Sequence, residues 1–376
     1  MRSVLIAGGG KIGATIAAML RSTGDYAVVI ADRDRALLDS LARDGFDVVA
    51  VDLADQSALT NVLAGHYAVV SAAPFFLTGS VAEAAVAAGV HYLDLTEDVA
   101  TTKKVMGLAH GATSALIPQC GLAPGFISIV GYDLGRGFDS LDSLRLRVGA
   151  LPQYPSNALN YNLTWSTDGV INEYCEPCEA IVDGALREVT ALQDLEEFSL
   201  DGVRYEAFNT SGGLGTLCET LKGKVRTLNY RTVRYPGHCA IMKALLDDLR
   251  LRDRRDVLKD ILERAVPATM QDVVVILVTV AGTKDGRFLQ ETYANKVYAR
   301  TWGDETFSAI QVTTAAAICA VLDMLANGDV PSAGFIRQED IELEAFLANR
   351  FGSVFQTAAE AVQPSTFNDV GRQAAL

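Results

Sequence analysis

Between Met1 and about Gly125, short β-branched runs alternate with alanine- and leucine-rich stretches whose apolar positions recur at helical spacing. The runs predict strands over Ser3–Ala7, Ala27–Ala31, Asp47–Val51, Ala68–Ala72, His91–Leu93 and Ser114–Ile117. The stretches between them predict helices, among them Ile12–Ser22, Arg35–Asp44, Gln56–Ala64 and Thr78–Ala88. Strands so uniformly apolar are buried on both faces, and helical crossovers between them imply parallel pairing with right-handed connections. The pattern is α/β, with a doubly wound parallel sheet over residues 1–125.

The texture changes after Gly125. Strands become longer and alternate in polarity over Leu144–Leu151, Arg204–Thr210, Val225–Tyr235, Val273–Gly282 and Leu289–Ala299. In one of them Arg226, Tyr230, Thr232 and Arg234 oppose Val225, Thr227 and Val233, the alternation of a mostly antiparallel sheet with one covered face. Helices are expected over Asn162–Cys175, His238–Leu246, Arg255–Ala265 and Ile310–Ala326. Residues 126–309 thus read as an inserted α+β domain. Residues 310–376 read as a helical segment folding back onto the first domain, loose from about Pro364.

Composition narrows the function classes. A chain of 376 residues supports two or three cores at about 150 residues each. With 49% hydrophobic and 21% charged residues it is globular, and a net charge of −14 disfavours nucleic acid and anionic membranes. Glycines follow the opening strand before any apolar stretch long enough for a signal peptide, and no run reaches the ~18 apolar residues of a membrane span. The six cysteines are scattered, as expected of reduced thiols in cytoplasm. Cys175 and Cys178 have a suggestive spacing but no second pair, and no cluster of His, Cys and carboxylates predicts a metal.

The sharpest local signal is Val4-Leu5-Ile6-Ala7-Gly8-Gly9-Gly10-Lys11-Ile12-Gly13. Gly8, Gly10 and Gly13 fall in the G-x-G-x-x-G register, directly after a strand and directly before a helix. Gly8 permits the turn, Gly10 lets the backbone approach a diphosphate, and Gly13 lets helix and strand pack closely. The N–H groups of the first turn, at Lys11 and Ile12, then face the phosphates with the positive end of the helix dipole behind them. Asp32 ends the second strand nineteen residues after Gly13, where an acid grips the ribose hydroxyls and repels a 2′-phosphate. The expected cofactor is therefore NAD, although Arg33 and Arg35 stand beside the acid. Asp52 either meets the adenine edge or caps the next helix.

Farther along, Ser71-Ala72-Ala73-Pro74, Gly89-Val90-His91-Tyr92-Leu93-Asp94-Leu95-Thr96-Glu97 and Cys120-Gly121-Leu122-Ala123-Pro124-Gly125 resemble the saccharopine dehydrogenase family. Gly149–Gln153, Trp165–Tyr174 and Thr232–His238 are most similar to its lysine 6-dehydrogenase branch, and the likeness covers nearly the whole chain. The resemblance implies a Rossmann domain with an inserted catalytic domain, a homodimer paired through the second, and oxidation of an amine next to a carbon that yields hydride. For the lysine branch the ε-carbon passes hydride to NAD, water releases ammonia, and the semialdehyde cyclises. Ala123, where saccharopine reductases carry an acid, and Pro236-Gly237-His238, in place of a lysine-glycine-phenylalanine turn, both lean away from saccharopine. By the same resemblance Ser71, Ala73, Pro74 and Pro124 line the cofactor.

The chemistry then sets its own requirements. A substrate α-carboxylate needs a cation, and Arg234 and Arg231 are the candidates; on a regular strand they face opposite ways, and Arg234 is preferred. A base or relay must remove a proton from the amine, and His238 at a helix start either serves so or caps the helix. Asp94 and Glu97, at the C-terminal edge of a strand, could hold the ammonium or position water, or Asp94 could cap a helix. Tyr161, Trp165 and Phe75 are candidate walls for substrate and nicotinamide, or plain core. The expected function is NAD-dependent oxidative deamination of L-lysine. The alternatives are an opine-, saccharopine- or carboxynorspermidine-type enzyme on a secondary amine, and a catalytically silent NAD-binding module.

Overall fold

The computed structural model describes residues 1–303 and 305–357. Its first sheet has seven strands in the order Gly334–Phe335, Ala115–Ile117, His91–Asp94, Ala68–Ser71, Arg2–Ala7, Tyr26–Asp32 and Asp47–Ala50, every pair parallel. Val4, Leu5, Ile6 and Ala7 are fully buried, as a strand covered by helices on both faces requires. Arg2–Ala7 pairs with the second strand on one side and the fourth on the other. That reversal of strand order opens the crevice in which doubly wound sheets bind ligands. Two features lay outside the sequence pattern. Helix Val99–Leu108 is capped by Asp98, which accepts from Thr101 N at 2.7 Å. The preceding helix begins at Phe75 rather than Thr78, directly behind Pro74.

The second sheet has eight strands and is mixed. Glu196–Leu200, Val203–Asn209, Val225–Arg234, Ser140–Pro152, Asp272–Lys284 and Arg287–Tyr298 follow one another across it, all antiparallel except Val225–Arg234 beside Ser140–Pro152. A hairpin, Cys178–Val182 with Ala185–Val189, attaches to Val225–Arg234. This hairpin and Glu196–Leu200 were not expected: Ala185–Val189 and Glu196–Leu200 are polar and partly exposed, and Cys178–Val182 is only five residues long. The helix expected over Asn162–Cys175 starts only at Thr167, where Ser166 caps it by accepting from Gly169 N at 3.2 Å. Tyr161 and Trp165 therefore lie in the preceding extended loop.

Three contacts tie the end of the chain to both sheets. Helix Ala309–Asn327 starts with a Ser308/Gln311 capping box, and the Asp272 carboxylate accepts from Ala309 N and Ile310 N at 2.6 and 3.0 Å. The helix then packs on Lys11–Ser22, with Tyr26 donating to Asp323 at 2.6 Å, and Gly334–Phe335 adds the outermost strand to the first sheet. By length and composition Ala309–Asn327 is apolar enough to cross a bilayer, contrary to the expectation of no such stretch. Its apolar window, however, is 83% buried within the fold, and its hydropathy serves the core. The tail expected to be loose from Pro364 lies outside the described residues.

Candidate active site

The nucleotide half of the site is built of backbone. Gly8 has φ of 109°, and a Cβ on Gly13 would sit 1.9 Å from Gly8 O, so turn and helix close against each other. A Cβ on Gly10 would meet nothing within 4 Å, and no side chain caps the helix that follows, so its free N–H groups face open space. The arrangement fits a diphosphate, which would satisfy those donors. Asp32 is held beside it: its carboxylate accepts from Gly9 N at 2.8 Å and from Asp34 N at 3.0 Å. Lys11 and Arg33 are exposed, and Ile12 is half-buried. Asp52 is exposed and accepts from Ala54 N, while Asp55 takes the cap of the next helix, so the capping role falls to a different acid.

At the floor of the crevice, Ser71 Oγ is buried without a partner and Ala73 is half-buried. Pro74 is exposed, and so is Phe75, at 47% in the first turn of its helix. Pro124 is buried, in contact range of the glycine loop at Gly215.

The second half of the site lies where strand Val225–Arg234 faces helix Thr167–Cys175. Arg234 is 2% exposed, donates from Nε to Tyr174 OH at 2.9 Å and from Nη1 to its own strand's Val233 O, and lies 5.1 Å from the Tyr161 ring. Its Nη2 has no hydrogen bond, and among the described residues it is the one buried arginine without an acid partner. Its register neighbour Glu206 is already engaged, accepting from Gly237 N and Cys239 N at 2.8 and 2.6 Å. Arg231 projects elsewhere and pairs with Glu196, which also binds Arg147.

His238 is enclosed. Its Nδ1 donates to Leu159 O at 2.9 Å, which leaves Nε2 to accept from Tyr174 OH at 3.1 Å. Burial and the neighbouring Arg234 charge push its pKa down to about 3, so the ring is neutral. Glu206, not His238, caps the helix that starts there. Tyr161 is nearly fully buried, its hydroxyl without a hydrogen bond of good geometry beside Thr164 and Trp165.

The two acids from the Rossmann side part company. Asp94 is fully buried, and its carboxylate accepts from Tyr92 OH at 2.6 Å, Thr96 N at 2.9 Å and Gln119 N at 2.8 Å. Burial raises its pKa to about 6 against those donors. These donors tie it to its own strand and to the loop entering the second domain, and Asp98, not Asp94, caps the next helix. Glu97 has no hydrogen bond or ion pair among the described residues, and its carboxyl is pushed well up by burial and then by Glu173.

Glu173 was missed in the sequence, as were Tyr174 and Tyr230. It is 7% exposed, also unpartnered, and raised to about 7 by burial, with Arg234 pulling it down. A buried acid in a helix of otherwise apolar inner positions was the available signal. The loop Ser211–Gly215 joins these groups: a Cβ on Gly212 would lie 2.9 Å from Glu97 Cβ, and one on Gly213 would lie 2.3 Å from the Tyr230 ring.

Comparison with known proteins agrees with this two-part construction. Residues 4–116 match the saccharopine dehydrogenase NADP binding domain, and residues 121–350 match the saccharopine dehydrogenase C-terminal domain. The chain belongs to the saccharopine dehydrogenase family. It is 24% identical over 266 residues, 67% of its length, to the NADP+-dependent, L-glutamate-forming saccharopine dehydrogenase of Saccharomyces cerevisiae, and spans 59% of that relative. A solved apo structure of saccharopine dehydrogenase (L-Glu forming) from the same yeast superposes with a TM-score of 0.74, covering 94% of this chain and 96% of that one. At 18% identity that likeness establishes the shared fold. As a member of the family, the chain carries an NAD(P)-binding Rossmann domain followed by the family's mixed-sheet domain.

Proposed function

We propose that this protein is an oxidoreductase catalysing NAD-dependent oxidative deamination of a diamino acid, L-lysine at its ε-carbon. The observation that carries the reading is the charge complement of the cleft. Arg234 and Glu173 are buried within one another's field yet form no ion pair among the described residues, and Glu97, half-buried beside them, feels the like charges of Glu173 and Asp98. Buried charges are paired in a working protein. The missing partner is thus a molecule with one carboxylate and a cationic amine, and Arg234 Nη2 is the free donor for the carboxylate. Tyr161, Tyr230 and Trp165 supply apolar walls for a methylene chain.

Gly8, Gly10, Lys11, Ile12 and Gly13 would hold the diphosphate, and Asp32 the adenosine ribose. When bound, the nicotinamide would supply the hydride acceptor. Asp32, locked at the strand end as a carboxylate acceptor, supports NAD over NADP. The assembly is proposed to be a homodimer through the second sheet, whose outer strand Arg287–Tyr298 leaves Phe288 and Tyr298 exposed.

A second reading, oxidation of a secondary amine such as saccharopine, is favoured by the name of the yeast relative. Saccharopine would bring three carboxylates to a cleft with one unpaired buried arginine, which weighs against it. The test is NADH absorbance with a panel of amines, together with assay of free ammonia. Turnover of lysine with ammonia released supports the deamination. Turnover confined to saccharopine-like secondary amines would replace it.

A further inference from the structure

The deamination reading leaves one step without an owner: the reacting ammonium must lose a proton before hydride can depart. His238 cannot take it, since both ring nitrogens are engaged and the residue is 1% exposed. Asp94 is fully buried and held by three internal donors, a bracing role in the scaffold.

Glu173 and Glu97 reach the cleft from different parts of the fold, one from helix Thr167–Cys175 and one from the loop after His91–Asp94. A single turn links them: Ser211 N donates to Glu173 O at 3.1 Å, and Gly212 abuts Glu97 with no room for a Cβ. Neither carboxyl forms a hydrogen bond or ion pair among the described residues, Glu173 being buried and Glu97 half-buried. Independently, the Tyr161 hydroxyl and Arg234 Nη2 are left open in the same cluster. The groups facing Glu173 are Glu97 from the Rossmann-side loop, Arg234 and Tyr230 from the strand, Tyr161 from the preceding loop, Tyr174 on its own helix and Cys178 on the next strand; Asp98 adds to the field at Glu97. Two like charges in so dry a place cannot both be ionised cheaply.

We propose that Glu173 accepts the proton of the substrate's reacting ammonium, with Glu97 as its electrostatic partner. The inference rests on the deamination reading and names the base for it. Glu173 carboxylate takes H+ from R–CH2–NH3+, giving the carboxylic acid and R–CH2–NH2. The nicotinamide, when bound, would supply the acceptor for the C–H electron pair, the nitrogen lone pair then forming C=N as R–CH=NH2+. Water added to that carbon would give the aldehyde and NH4+, and the proton on Glu173 would return to solvent.

The test compares wild type with Glu173→Gln and Glu97→Gln. With lysine, wild-type kcat is expected to fall as pH drops through neutrality, because the accepting carboxylate becomes protonated. Glu173→Gln is expected to lose about 10²–10⁴-fold in kcat, the usual worth of a general base, with NADH affinity unchanged. Glu97→Gln, relieved of repulsion, is expected to move the acid limb to lower pH. A readout independent of turnover is the infrared carbonyl band of a protonated carboxyl in the ligand-free protein, expected to titrate near neutrality in wild type and to weaken in Glu173→Gln. A wild type inactive on every primary amine would overturn the deamination reading and this step with it. An active wild type whose Glu173→Gln variant keeps kcat and pH limb would overturn the assignment of the base alone. If Glu173→Gln does not fold, an unmoved acid limb in Glu97→Gln overturns it equally.

Discussion

Replacing Asp32 by serine isolates the choice of cofactor from everything else in the fold. The wild-type carboxylate is fixed by two backbone donors, Gly9 N at 2.8 Å and Asp34 N at 3.0 Å, so its position at the strand end does not depend on a ligand. A ribose hydroxyl bonded to a carboxylate contributes about 1.5–3 kcal/mol, so losing that acceptor should weaken NAD by about 10–100-fold. The same carboxylate repels a 2′-phosphate. At about 4 Å each unit charge costs about 1 kcal/mol in bulk water and about 4 kcal/mol near a protein surface. Arg33, exposed next to it, is then free to attract that phosphate. Together these effects should swing the NAD/NADP ratio of kcat/KM by about 10²–10⁴-fold, less at high salt, where the repulsion is screened. The assay is the ratio of kcat/KM for the two dinucleotides at one amine concentration and two ionic strengths, with Kd for NADH and NADPH from fluorescence. A ratio moved by less than threefold, in a variant that melts normally, would show that the acid does not face the ribose and would remove the argument for NAD.

Three further outcomes follow from the second half of the site and its scaffold. Arg234→Lys keeps the charge but loses the planar fork and the Nε bond to Tyr174, so KM for the amino acid should rise about tenfold or more while NADH Kd stays put; an unchanged KM would place the carboxylate elsewhere. Asp94→Asn tests a scaffold role. The wild-type carboxyl is raised to about 6 from 3.8, so the folded state holds a proton that the unfolded state has lost and stability falls as pH climbs from about 4 to 6. The amide keeps an oxygen for Thr96 N and Gln119 N, so denaturant melts of the variant should lack that decline and kcat should change little; a collapse of kcat would return Asp94 to the chemistry. Gly212→Ala puts a Cβ 2.9 Å from Glu97 Cβ at φ of 87°, and should cost about 1–3 kcal/mol with a raised KM, read by melting and kinetics; a variant as stable and active as wild type would contradict the tight turn.

The nucleotide half of this molecule was legible in the chain because its logic is local. Val4 to Gly13 spell strand, turn and helix in consecutive residues, and the contacts that crowd Gly8 against Gly13 span five positions. Asp32 follows because the crossover between neighbouring parallel strands has a narrow range of lengths. The second half is assembled from residues far apart in sequence. Strand parity allows only one of Arg231 and Arg234 to face the site, and Arg234 is preferred for standing next to the Pro236-Gly237-His238 turn that carries the family resemblance. Glu173 could not be found so, because its partnerless state depends on Glu97, Ser211 and Tyr230 arriving beside it. His238 drew notice for its place at a helix start, which says nothing about whether a ring nitrogen is free. Asp94 likewise stands at the strand edge where ligands gather, yet three internal donors consume it.

That contrast bears on how such a cleft acquires its substrate. The walls are set by backbone: Gly212 against Glu97, Gly213 against Tyr230 and Gly215 against Pro124, with little clearance for a side chain at any of them. Thr216 and Thr220, just past that loop, are tied to Glu339 of the returning C-terminal segment, which holds the loop from behind. A frame fixed this way resists change in shape, because widening it means moving several packed elements at once. Charge is easier to alter, since exchanging one side chain adds or removes a full unit in a dry cleft, and there a unit outweighs a methylene or two of shape. On the proposed reading, the distribution of one cation and two acids over Arg234, Glu97 and Glu173 would decide between a diamino acid and a polycarboxylate more strongly than the width of the cleft.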